Sequence, residues 1–266
     1  MKNIQIDTTK CIGCGLCVKD CGVNELFLEN GKAHSLDIGC IECGHCYSIC
    51  PQGAVSMLHY DCSQEEPVGS FAQFDEDEML RALKSRRTVR HFKDKPVTEE
   101  QVLKIIEAGR YSPTATNIQN VRFTVLTGET MAEFERVSVA TIRRVISFAK
   151  PFSAAARTTQ IPDDFLFRHA PVAILVTAKK VAMDSFGAAV NGGLATAHME
   201  TQAESMGLGV LISGFTIISL RLSCKARRIV GLQRDERPIA CLVLGYPVLK
   251  HRRIPPRKPA NVKILK

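Results

Sequence analysis

Residues 11–21 read CIGCGLCVKDC, and residues 40–50 repeat the same cysteine spacing as CIECGHCYSIC. Cys11 recurs as Cys40, and the other three cysteines of the first run follow at the same offset of 29 residues. The isoleucine after the first cysteine and the glycine after the second recur as well, and Pro51 follows the second run. The stretch is therefore an internal duplication, and it holds eight of the 11 cysteines of the 266-residue chain.

The spacing within each run has a chemical reason. Three thiolates two residues apart on a tight loop can reach three corners of an iron–sulfur cube, whereas the fourth lies too far along the chain and binds the other cluster. The sequence therefore predicts two [4Fe–4S] clusters with crossed ligation. One cluster takes Cys11, Cys14, Cys17 and Cys50, and the other takes Cys40, Cys43, Cys46 and Cys21. Glycines in both runs suit a backbone packed close against inorganic sulfide.

Zinc and disulfides are the alternative uses of so many cysteines. A zinc site needs four ligands in a closed tetrahedral set, usually as two pairs well apart in sequence, and two runs of four fit it poorly. A disulfide framework is typical of small secreted chains, whereas residues 1–10 are polar and lack an apolar signal core. Residues 1–60 resemble a bacterial two-cluster ferredoxin, with Gly22 as a departure where that family often has proline.

Three cysteines lie outside the two runs. Cys241 sits in the apolar run 239–244, and we expect it to be a small buried core residue. Cys224 lies in a helix-like stretch and is expected to be structural. Cys62 is interpreted as an idle linker thiol, because both runs are already complete.

Charge and composition divide the chain into two domains. Residues 1–60 carry four lysines against six acidic residues, so the remainder of a chain with net charge +8 must carry +10. Residues 61–78 are acidic, with Pro67 and Gly69, and predict an interdomain linker. We therefore expect one domain over residues 1–60 and a second over residues 79–266.

Several classes of protein are excluded by what the sequence lacks. No apolar run approaches the roughly 18–20 residues that span a bilayer, and no secretion signal is present, so we expect a cytoplasmic protein without membrane association. Aromatic residues make up 6% of the chain and no nucleic-acid-binding motif occurs, so no nucleic-acid partner is expected. G-x-G-x-x-G and P-loop motifs are missing too, so Rossmann dinucleotide binding and P-loop hydrolysis have no support.

The second domain has a mixed pattern of helices and strands. Thr98 and Gln101 have the spacing of a capping box, which predicts the start of a helix. Further helices are expected over 79–84, 129–149, 185–206 and 217–230, and strands over 121–127, 171–177, 239–244 and 261–265. Because helices separate the strands widely, we expect an α+β domain whose sheet is covered by helices.

Ordered segments of this domain resemble the nitroreductase family of FMN flavoproteins. They are SRRTVRHF at 85–92, YSPTATNIQ at 111–119, GLG at 207–209 with ISGF at 212–215, and LGYP at 244–247. The resemblance covers essentially residues 79–266 and implies a central, mostly antiparallel sheet flanked by helices. The whole chain resembles a ferredoxin–nitroreductase fusion. Where the family often has Pro-Trp, this chain has Asn120 and Val121, so the substrate pocket departs from the family pattern.

The resemblance also implies which residues bind FMN. It assigns the phosphate, the ribityl chain and the ring edge to Arg86, Arg87, Thr88 and Arg90, with Arg252 and Arg253 at the phosphate, and arginine forks suit that anion. The loop with Pro113, Thr114, Thr116 and Asn117 would reach the FMN of the partner subunit, and Gly214 would lie against the ring. A homodimer with FMN at its interface is therefore expected. No catalytic side chain is identified.

Together these features predict an oxidoreductase that depends on FMN and iron–sulfur clusters. Two [4Fe–4S] clusters would relay single electrons to FMN, which would reduce a small acceptor such as a nitroaromatic, a quinone or an activated alkene. An external low-potential donor such as ferredoxin would supply the electrons, and NAD(P)H stays open as the donor. The alternative hypothesis is an electron-transfer module of a larger redox complex without turnover of its own. A specialised FMN-dependent dehalogenase or dehydrogenase is a third hypothesis.

Overall fold

The computed structural model describes residues 2–64, 75–180 and 185–265. The chain forms two compact units. The first comprises Met1–Gln73 together with Thr114–Ile118, and the second comprises Phe74–Pro113 and Gln119–Lys266. Each unit is built around its own core, and the five residues Thr114–Ile118 pack with the first unit although they lie within the sequence of the second.

The first unit consists of short strands and two short helices. Its elements in chain order are β1 (Ile4–Ile6), α1 (Leu16–Asp20), β2 (Leu26–Glu29), β3 (Lys32–Ser35), α2 (His45–Ile49) and β4 (Val55–Met57). β1 pairs antiparallel with β4, and β2 pairs antiparallel with β3. The helices α1 and α2 occupy equivalent positions in the two cysteine runs, so the duplication seen in the sequence is also a structural one.

The second unit contains a four-stranded sheet between helices. Its helices are α3 (Glu76–Ser85), α4 (Glu99–Arg110), α5 (Gly128–Ala149), α6 (Ala154–Thr158), α7 (Ser185–Ser205), α8 (Gly214–Leu222) and α9 (Cys224–Ile229). Its strands are β5 (Val121–Leu126), β6 (Val172–Lys179), β7 (Gly209–Ile212) and β8 (Glu236–Gly245). They form a fully antiparallel sheet in the order β5–β6–β8–β7. The expected fold class, an α+β domain with an antiparallel sheet flanked by helices, is confirmed.

The central strands β6 and β8 have buried residues on both faces, which explains why they read as nearly continuous apolar runs. Ala173 and Leu175 of β6 face a core shared with α5, α8 and α9. Ile174 and Val176 face a second core shared with α4 and α7. Because successive side chains of a strand point to opposite faces, one apolar run supplies both cores.

The capping box at the start of α4 is confirmed. The Gln101 amide donates to Thr98 Oγ1 at 3.2 Å, and the Thr98 amide donates to Gln101 Oε1 at 3.1 Å. Further along α4, a Cβ on Gly109 would lie 2.7 Å from Met199 Cγ of α7. The missing side chain at Gly109 therefore allows the close packing of these two helices.

The acidic segment predicted as a linker, residues 61–78, lies partly outside the described residues. Its first part includes a 3₁₀ turn over Cys62–Gln64, and its last three residues belong to α3. Asp75 caps α3, because its Oδ1 accepts hydrogen bonds from the amides of Asp77 and Glu78 at 2.9 Å each. Acidic residues in the first turn of a helix also interact favourably with its dipole. The acidic composition is thus in part a helix-start signal.

Two other expected elements differ from the structure. The helix expected over 217–230 is two helices, α8 and α9, because Ser223 has extended backbone and its Oγ caps α9 by accepting from the Ala226 amide at 3.2 Å. The strand expected over 261–265 is irregular, and within the described part of the chain no strand pairs with it. None of the described helices is long and apolar enough to cross a lipid bilayer.

Candidate functional site

The eight cysteines of the two runs line two separate cavities of the first unit. The first cavity contains Cys11, Cys14, Cys17 and Cys50 among apolar side chains. The second contains Cys21, Cys40, Cys43 and Cys46. Each cavity thus combines three cysteines of one run with the last cysteine of the other, which is the grouping that crossed ligation requires.

Backbone amides are directed at sulfur atoms in both cavities. The donors and their acceptor sulfurs are Ala33 to Cys11 (3.4 Å), Ala54 to Cys50 (3.3 Å), Glu25 to Cys21 (3.2 Å) and Glu42 to Cys40 (3.4 Å). Hydrogen bonds to cysteine sulfur stabilise the thiolate and influence the reduction potential of a bound cluster. Each cavity therefore supplies at least two such donors.

Left-handed backbone shapes both cysteine loops. Gly15 and Gly44, directly before α1 and α2, have φ of 73° and 76°, a conformation that glycine adopts without steric cost. Gly13 also has a positive φ of 68°, and the 29-residue repeat aligns it with Glu42, whose φ is 53°. A non-glycine residue in this region is strained. The Glu42 carboxylate is held by His59 Nδ1, so contacts of its own stabilise the second loop.

Burial opposes the ionisation of the innermost thiols. It raises the pKa of Cys46 to about 11, and it also raises the pKa of Cys17 at the equivalent position. The pKa of Cys11 is lowered by hydrogen bonds from the amides of Ala33 and Gly13. Because cysteine binds metal as the thiolate, cations in these cavities are needed to offset the cost of ionising the buried sulfurs.

The donor arrangement fits a cluster of several atoms. Within the residues that the structure describes, no group of three or more His, Cys, Asp or Glu side chains gathers closely enough for a single metal ion. Four sulfur donors around each apolar cavity, with amides directed at the sulfurs, are the donor set of a cubane cluster. The residues present therefore fit a [4Fe–4S] cluster in each cavity.

The other three cysteines line neither cavity. Cys241 is completely buried in β8, as expected, and burial raises its pKa to about 12. Cys224 is exposed at the start of α9. The Cys62 thiol lies 3.8 Å from the carbonyl oxygens of both Met57 and Tyr60. Their surroundings give no reason to assign them a ligand role.

Two cavities of the second unit share the side chains of Arg90 and Arg168. The larger, of about 400 Å³, is also lined by Ser213 and Gly214 at the start of α8. The smaller, of about 350 Å³, also includes His169. Both volumes fall within the roughly 300–1,000 Å³ of small-molecule and cofactor pockets. Of the residues predicted to bind FMN, the structure brings Arg90 and Gly214 together at one cavity.

Positive charge gathers at the larger cavity. The start of α8 at Gly214 presents backbone amides and the positive end of the helix dipole. Arg90 and Arg168 add full charges. Arg168 has a left-handed φ of 54°, and its guanidinium lies 5.1 Å from the centre of the Phe165 ring. The cavity therefore suits an aromatic ligand that carries negative charge.

Arg86 is engaged by a carboxylate of α7. Its Nη1 lies 2.6 Å from Oε1 of Glu200, a buried residue. One turn further along α7, burial and the charge of Glu200 raise the pKa of Glu204 to about 7, although Arg86 acts in the opposite direction. The Arg86 guanidinium thus pairs with Glu200, and it lines neither arginine-containing cavity.

The remaining predicted FMN residues of the second unit do not line the larger cavity. Thr88 forms a parallel bridge with Val210 of β7, so the segment around it runs along the edge of the sheet. Arg87 is half-buried beside it. Arg252 and Arg253 are exposed in the irregular C-terminal segment. None of these residues lines the cavity that contains Arg90 and Gly214.

The predicted flavin loop is divided between the two units. Pro113 belongs to the second unit, whereas Thr114, Thr116 and Asn117 fold with the first. Thr116 and Asn117 have left-handed φ values of 51° and 54°. The Asn117 Nδ2 donates a hydrogen bond to the Glu42 carbonyl oxygen at 2.7 Å. The sequence did not indicate that this loop would pack against a cysteine loop.

Three residues at these sites were not predicted, and only one of them carries a signal in the sequence. The repeat aligns Glu42 with Gly13, so its left-handed backbone could have been expected. Arg168 lies in an irregular loop without a motif, and Glu200 is an isolated acid on a helix rich in small residues. Their roles depend on contacts between residues far apart in sequence.

Two domain families match the chain. The nitroreductase family matches residues 83–246, more than half of the chain, and the 4Fe–4S dicluster domain matches residues 3–58. A Methanothermobacter thermautotrophicus protein named as an NADH dehydrogenase/NAD(P)H nitroreductase is 26% identical over 171 residues, which cover 64% of this chain and 78% of that protein. A ferredoxin of Methanocaldococcus jannaschii is 39% identical over 56 residues, which cover 20% of this chain and 73% of that one.

Similarity to solved structures supports the fold of the second unit. A nitroreductase with bound FMN from Desulfitobacterium hafniense superimposes with a TM-score of 0.59 at 19% sequence identity. The match covers 71% of this chain and 98% of that one. With the family matches, the chain belongs to the nitroreductase family, and it is a flavin oxidoreductase of that family with a 4Fe–4S dicluster ferredoxin domain preceding its nitroreductase domain.

Proposed function

We propose that the protein relays single electrons from two [4Fe–4S] clusters to an FMN, and that the reduced FMN reduces a small acceptor. The observation that carries this proposal is the pair of four-cysteine cavities in a chain whose second unit has a nitroreductase fold and an arginine-lined cavity. A ferredoxin domain over 1–60, a linker over 61–78 and an FMN-binding domain over 79–266 are the domain limits of this proposal.

The cysteines of each cavity would ligate one cluster. Cys11, Cys14, Cys17 and Cys50 would hold the first cluster, and Cys21, Cys40, Cys43 and Cys46 the second. The amides at Cys11, Cys50, Cys21 and Cys40 support this assignment, because they would stabilise bound thiolates. Each site would exchange one electron at a time, as [4Fe–4S] centres do.

The larger cavity of the second unit would hold FMN. When bound, this cofactor couples single-electron supply to the transfer of an electron pair. Arg90 and Arg168 would bind its anionic parts, and the start of α8 would favour negative charge on the ring. A Cβ on Gly214 would meet no atom within 4 Å, so there is open space beside the helix start for a flat ring.

The other FMN contacts implied by the family resemblance belong to the proposal as well. They are Arg86, Arg87, Thr88, Arg252 and Arg253 in the same chain, and Pro113, Thr114, Thr116 and Asn117 for the FMN of a partner subunit. A homodimer with FMN at its interface is part of the same proposal, as the resemblance implies.

The electron donor is proposed to be an external low-potential protein such as ferredoxin, with NAD(P)H as the second donor to test. The name of the Methanothermobacter relative supports including NAD(P)H. We place the protein in the cytoplasm, because reducing compartments keep cysteines available as thiolates. Nitroaromatics, quinones and activated alkenes are the acceptors to screen.

Anaerobic purification with cofactor analysis tests the proposal. We expect about eight iron and eight sulfide ions per chain, the content of two cubane clusters, and bound FMN that is reduced by a low-potential donor. Turnover with one of the acceptor classes should follow. Flavin that is reduced but never reoxidised by any small acceptor would favour the electron-transfer module instead, and protein without flavin or iron would contradict both.

A pair of arginine variants tests the FMN site. Arg90→Ala should lower the FMN content of the purified protein, because it removes a charge from the cavity. Arg143→Ala is the matched control, since Arg143 pairs with Asp163 at 2.8 Å and lines neither cavity. Equal FMN content in the two variants would exclude Arg90 as a ligand.

A further inference from the structure

The segment Thr114–Ile118 lies inside the nitroreductase match, yet it packs with the cysteine-containing unit. Its anchor is Asn117, whose Nδ2 donates to the Glu42 carbonyl oxygen at 2.7 Å and lies 3.4 Å from the carbonyl oxygen of Ile41. Ile41 and Glu42 form the loop between Cys40 and Cys43, which line the second cavity. A segment that the family resemblance assigns to the flavin is thus bound to the loop of one particular cluster.

We propose that Asn117 is a positioning residue that ties the flavin-contacting segment to the loop of the second cluster, and that electrons reach the flavin from this cluster. The inference rests on the proposed function, because it presumes bound clusters and FMN. It goes beyond that function by stating which of the two clusters passes electrons directly to the flavin. In this ranking the second cluster is the direct donor to the flavin, and the cluster at Cys11 passes electrons to the second cluster.

Backbone strain on both sides of this hydrogen bond supports a functional contact. Thr116, Asn117 and Gln119 have φ values of 51°, 54° and 46°, and Glu42 has 53°. Left-handed backbone in residues other than glycine costs on the order of 1 kcal/mol or more each, and persists only where surrounding contacts enforce it. Here strained residues of one segment meet a strained residue of the other, so the contact holds both loops in shape.

The two cysteine loops differ at this position. In the first loop a Cβ on Gly13 would lie 2.0 Å from the Gly31 carbonyl oxygen, so the turn between β2 and β3 covers that loop closely. In the second loop the aligned residue is Glu42, and its carbonyl oxygen is bound by Asn117. The segment around Asn117 therefore covers the second loop as the β2–β3 turn covers the first. This asymmetry selects the second cluster as the partner of the flavin segment.

The electron count of the proposed route is simple. A reduced cluster held by Cys21, Cys40, Cys43 and Cys46 would supply one electron and return to its oxidised state. Two such electrons, with two protons from water, would convert FMN to FMNH₂. A low-potential one-electron donor, such as a reduced ferredoxin, would restore both clusters through the first.

Hydrogen–deuterium exchange of the whole, cofactor-loaded chain tests the contact. Asn117→Asp and Asn117→Gly both tolerate left-handed backbone and both lack the amide donor, so the amides of 114–118 should exchange about three- to tenfold faster. Asn3→Asp is the matched control, because Asn3 Nδ2 donates to the Cys40 carbonyl oxygen at 3.0 Å on the same loop. It should change exchange of the segment by less than about twofold, since it touches only the loop. Unchanged exchange in both Asn117 variants would overturn the proposal.

Single-cluster variants test the ranking. Cys14 and Cys43 hold equivalent positions in the two runs, and both are exposed. Cys43→Ala should free the segment 114–118 and slow flavin reduction by reduced ferredoxin at least about tenfold, whereas Cys14→Ala should raise exchange of the segment less and slow flavin reduction less. Equal effects of the two variants, or the reverse order, would overturn the ranking.

The exchange and cofactor measurements together distinguish failure of this inference from failure of the proposed function. If Cys43→Ala loses all its iron, the Asn117 variants decide alone: slower flavin reduction at full iron content supports the route, and an unchanged rate overturns it. A chain without FMN but with the expected exchange pattern would contradict the proposed function and leave the contact standing. Full FMN content and turnover, with no effect of Asn117 on exchange, would overturn only this inference.

Discussion

The two units differ in what stabilises each of them. In the second unit, two large apolar cores lie on opposite faces of the sheet and include completely buried residues such as Phe134 and Leu242. In the described part of the first unit, the core cluster is small and consists of Ile4, Cys17, Leu26 and Ala33. One of its four members is itself a predicted cluster ligand.

This difference shows where each unit derives its stability. A domain of about 60 residues is only marginally stabilised by apolar burial, and a metal or cross-link commonly adds to its stability. Around each cysteine cavity the first unit places side chains that an inorganic cluster would contact, so the clusters would act as its core. The second unit has two large apolar cores of its own, so we expect it to fold without its cofactor.

Removal of iron should reveal the difference in stability between the two units most strongly. Chelation of the reduced, anaerobic protein should unfold the first unit, because binding free energy of a structural metal is folding free energy. The second unit should keep its own cooperative thermal transition. Hydrogen–deuterium exchange resolved along the chain measures both units at once. Retained protection in residues 2–60 after loss of iron would contradict the comparison.

A cavity in the core beside the sheet tests whether apolar packing stabilises the second unit. Leu242→Ala should destabilise the second unit by about 2–5 kcal/mol, because it removes a completely buried side chain. The iron content of the first unit should not change. Leu265→Ala is the control, since Leu265 is 79% exposed and should change the unfolding free energy little. Denaturation followed by circular dichroism gives the unfolding free energy, and loss of iron in Leu242→Ala would show that the units are not independent.

The raised pKa of Glu204 predicts how the stability of the second unit depends on pH. Its pKa is about 7 in the folded chain against an ordinary value of 4.5, so between these pH values the folded state keeps a proton that the unfolded state has lost. Stability of the second unit should therefore fall as pH rises from about 4.5 to 7 and then level off, by on the order of 1–2 kcal/mol because solvent screens this half-buried carboxyl. Glu204→Gln should remove this dependence. Thermal denaturation across this pH range measures it, and an unchanged slope in the variant would exclude Glu204 as the cause.

The capping box of α4 gives the smallest expected effect. Thr98→Ala should destabilise the second unit by about 1 kcal/mol, because the Gln101 amide loses its acceptor. Thr98→Ser retains the hydroxyl and should behave like the wild type. Equal unfolding midpoints for Thr98→Ala and Thr98→Ser would show that other contacts already fix this helix start.

Local sequence patterns predicted much of the fold. The apolar runs of β6 and β8 and the capping box of α4 gave correct elements, because each depends on neighbouring residues only. The short strand β7 was missed, since Gly209 and its three successors offer no alternation to detect. The break at Ser223 was missed as well, because the apolar run continues through a residue whose side chain caps the next helix.

Only some residues of the candidate sites could be predicted from the sequence, again because only local patterns are visible in it. The eight cysteines carry a ligand spacing in the sequence itself, so their grouping into two cavities could be anticipated. The pairing of Arg86 with Glu200 joins residues 114 positions apart, and no local pattern announces it. The hydrogen bond from Asn117 to Glu42 spans 75 positions and depends on how a loop packs. Contacts of this kind follow from the tertiary structure alone.

Flavin reduction in a chain without clusters tests the central claim most directly. Reduced ferredoxin is mixed anaerobically with wild-type protein and with the double variant Cys14→Ala/Cys43→Ala, each loaded with FMN, and flavin absorbance is followed. We expect the wild type to be reduced by two electrons per FMN and the variant to stay oxidised over the same period. Equal rates of reduction in the two proteins would contradict an electron relay through the clusters.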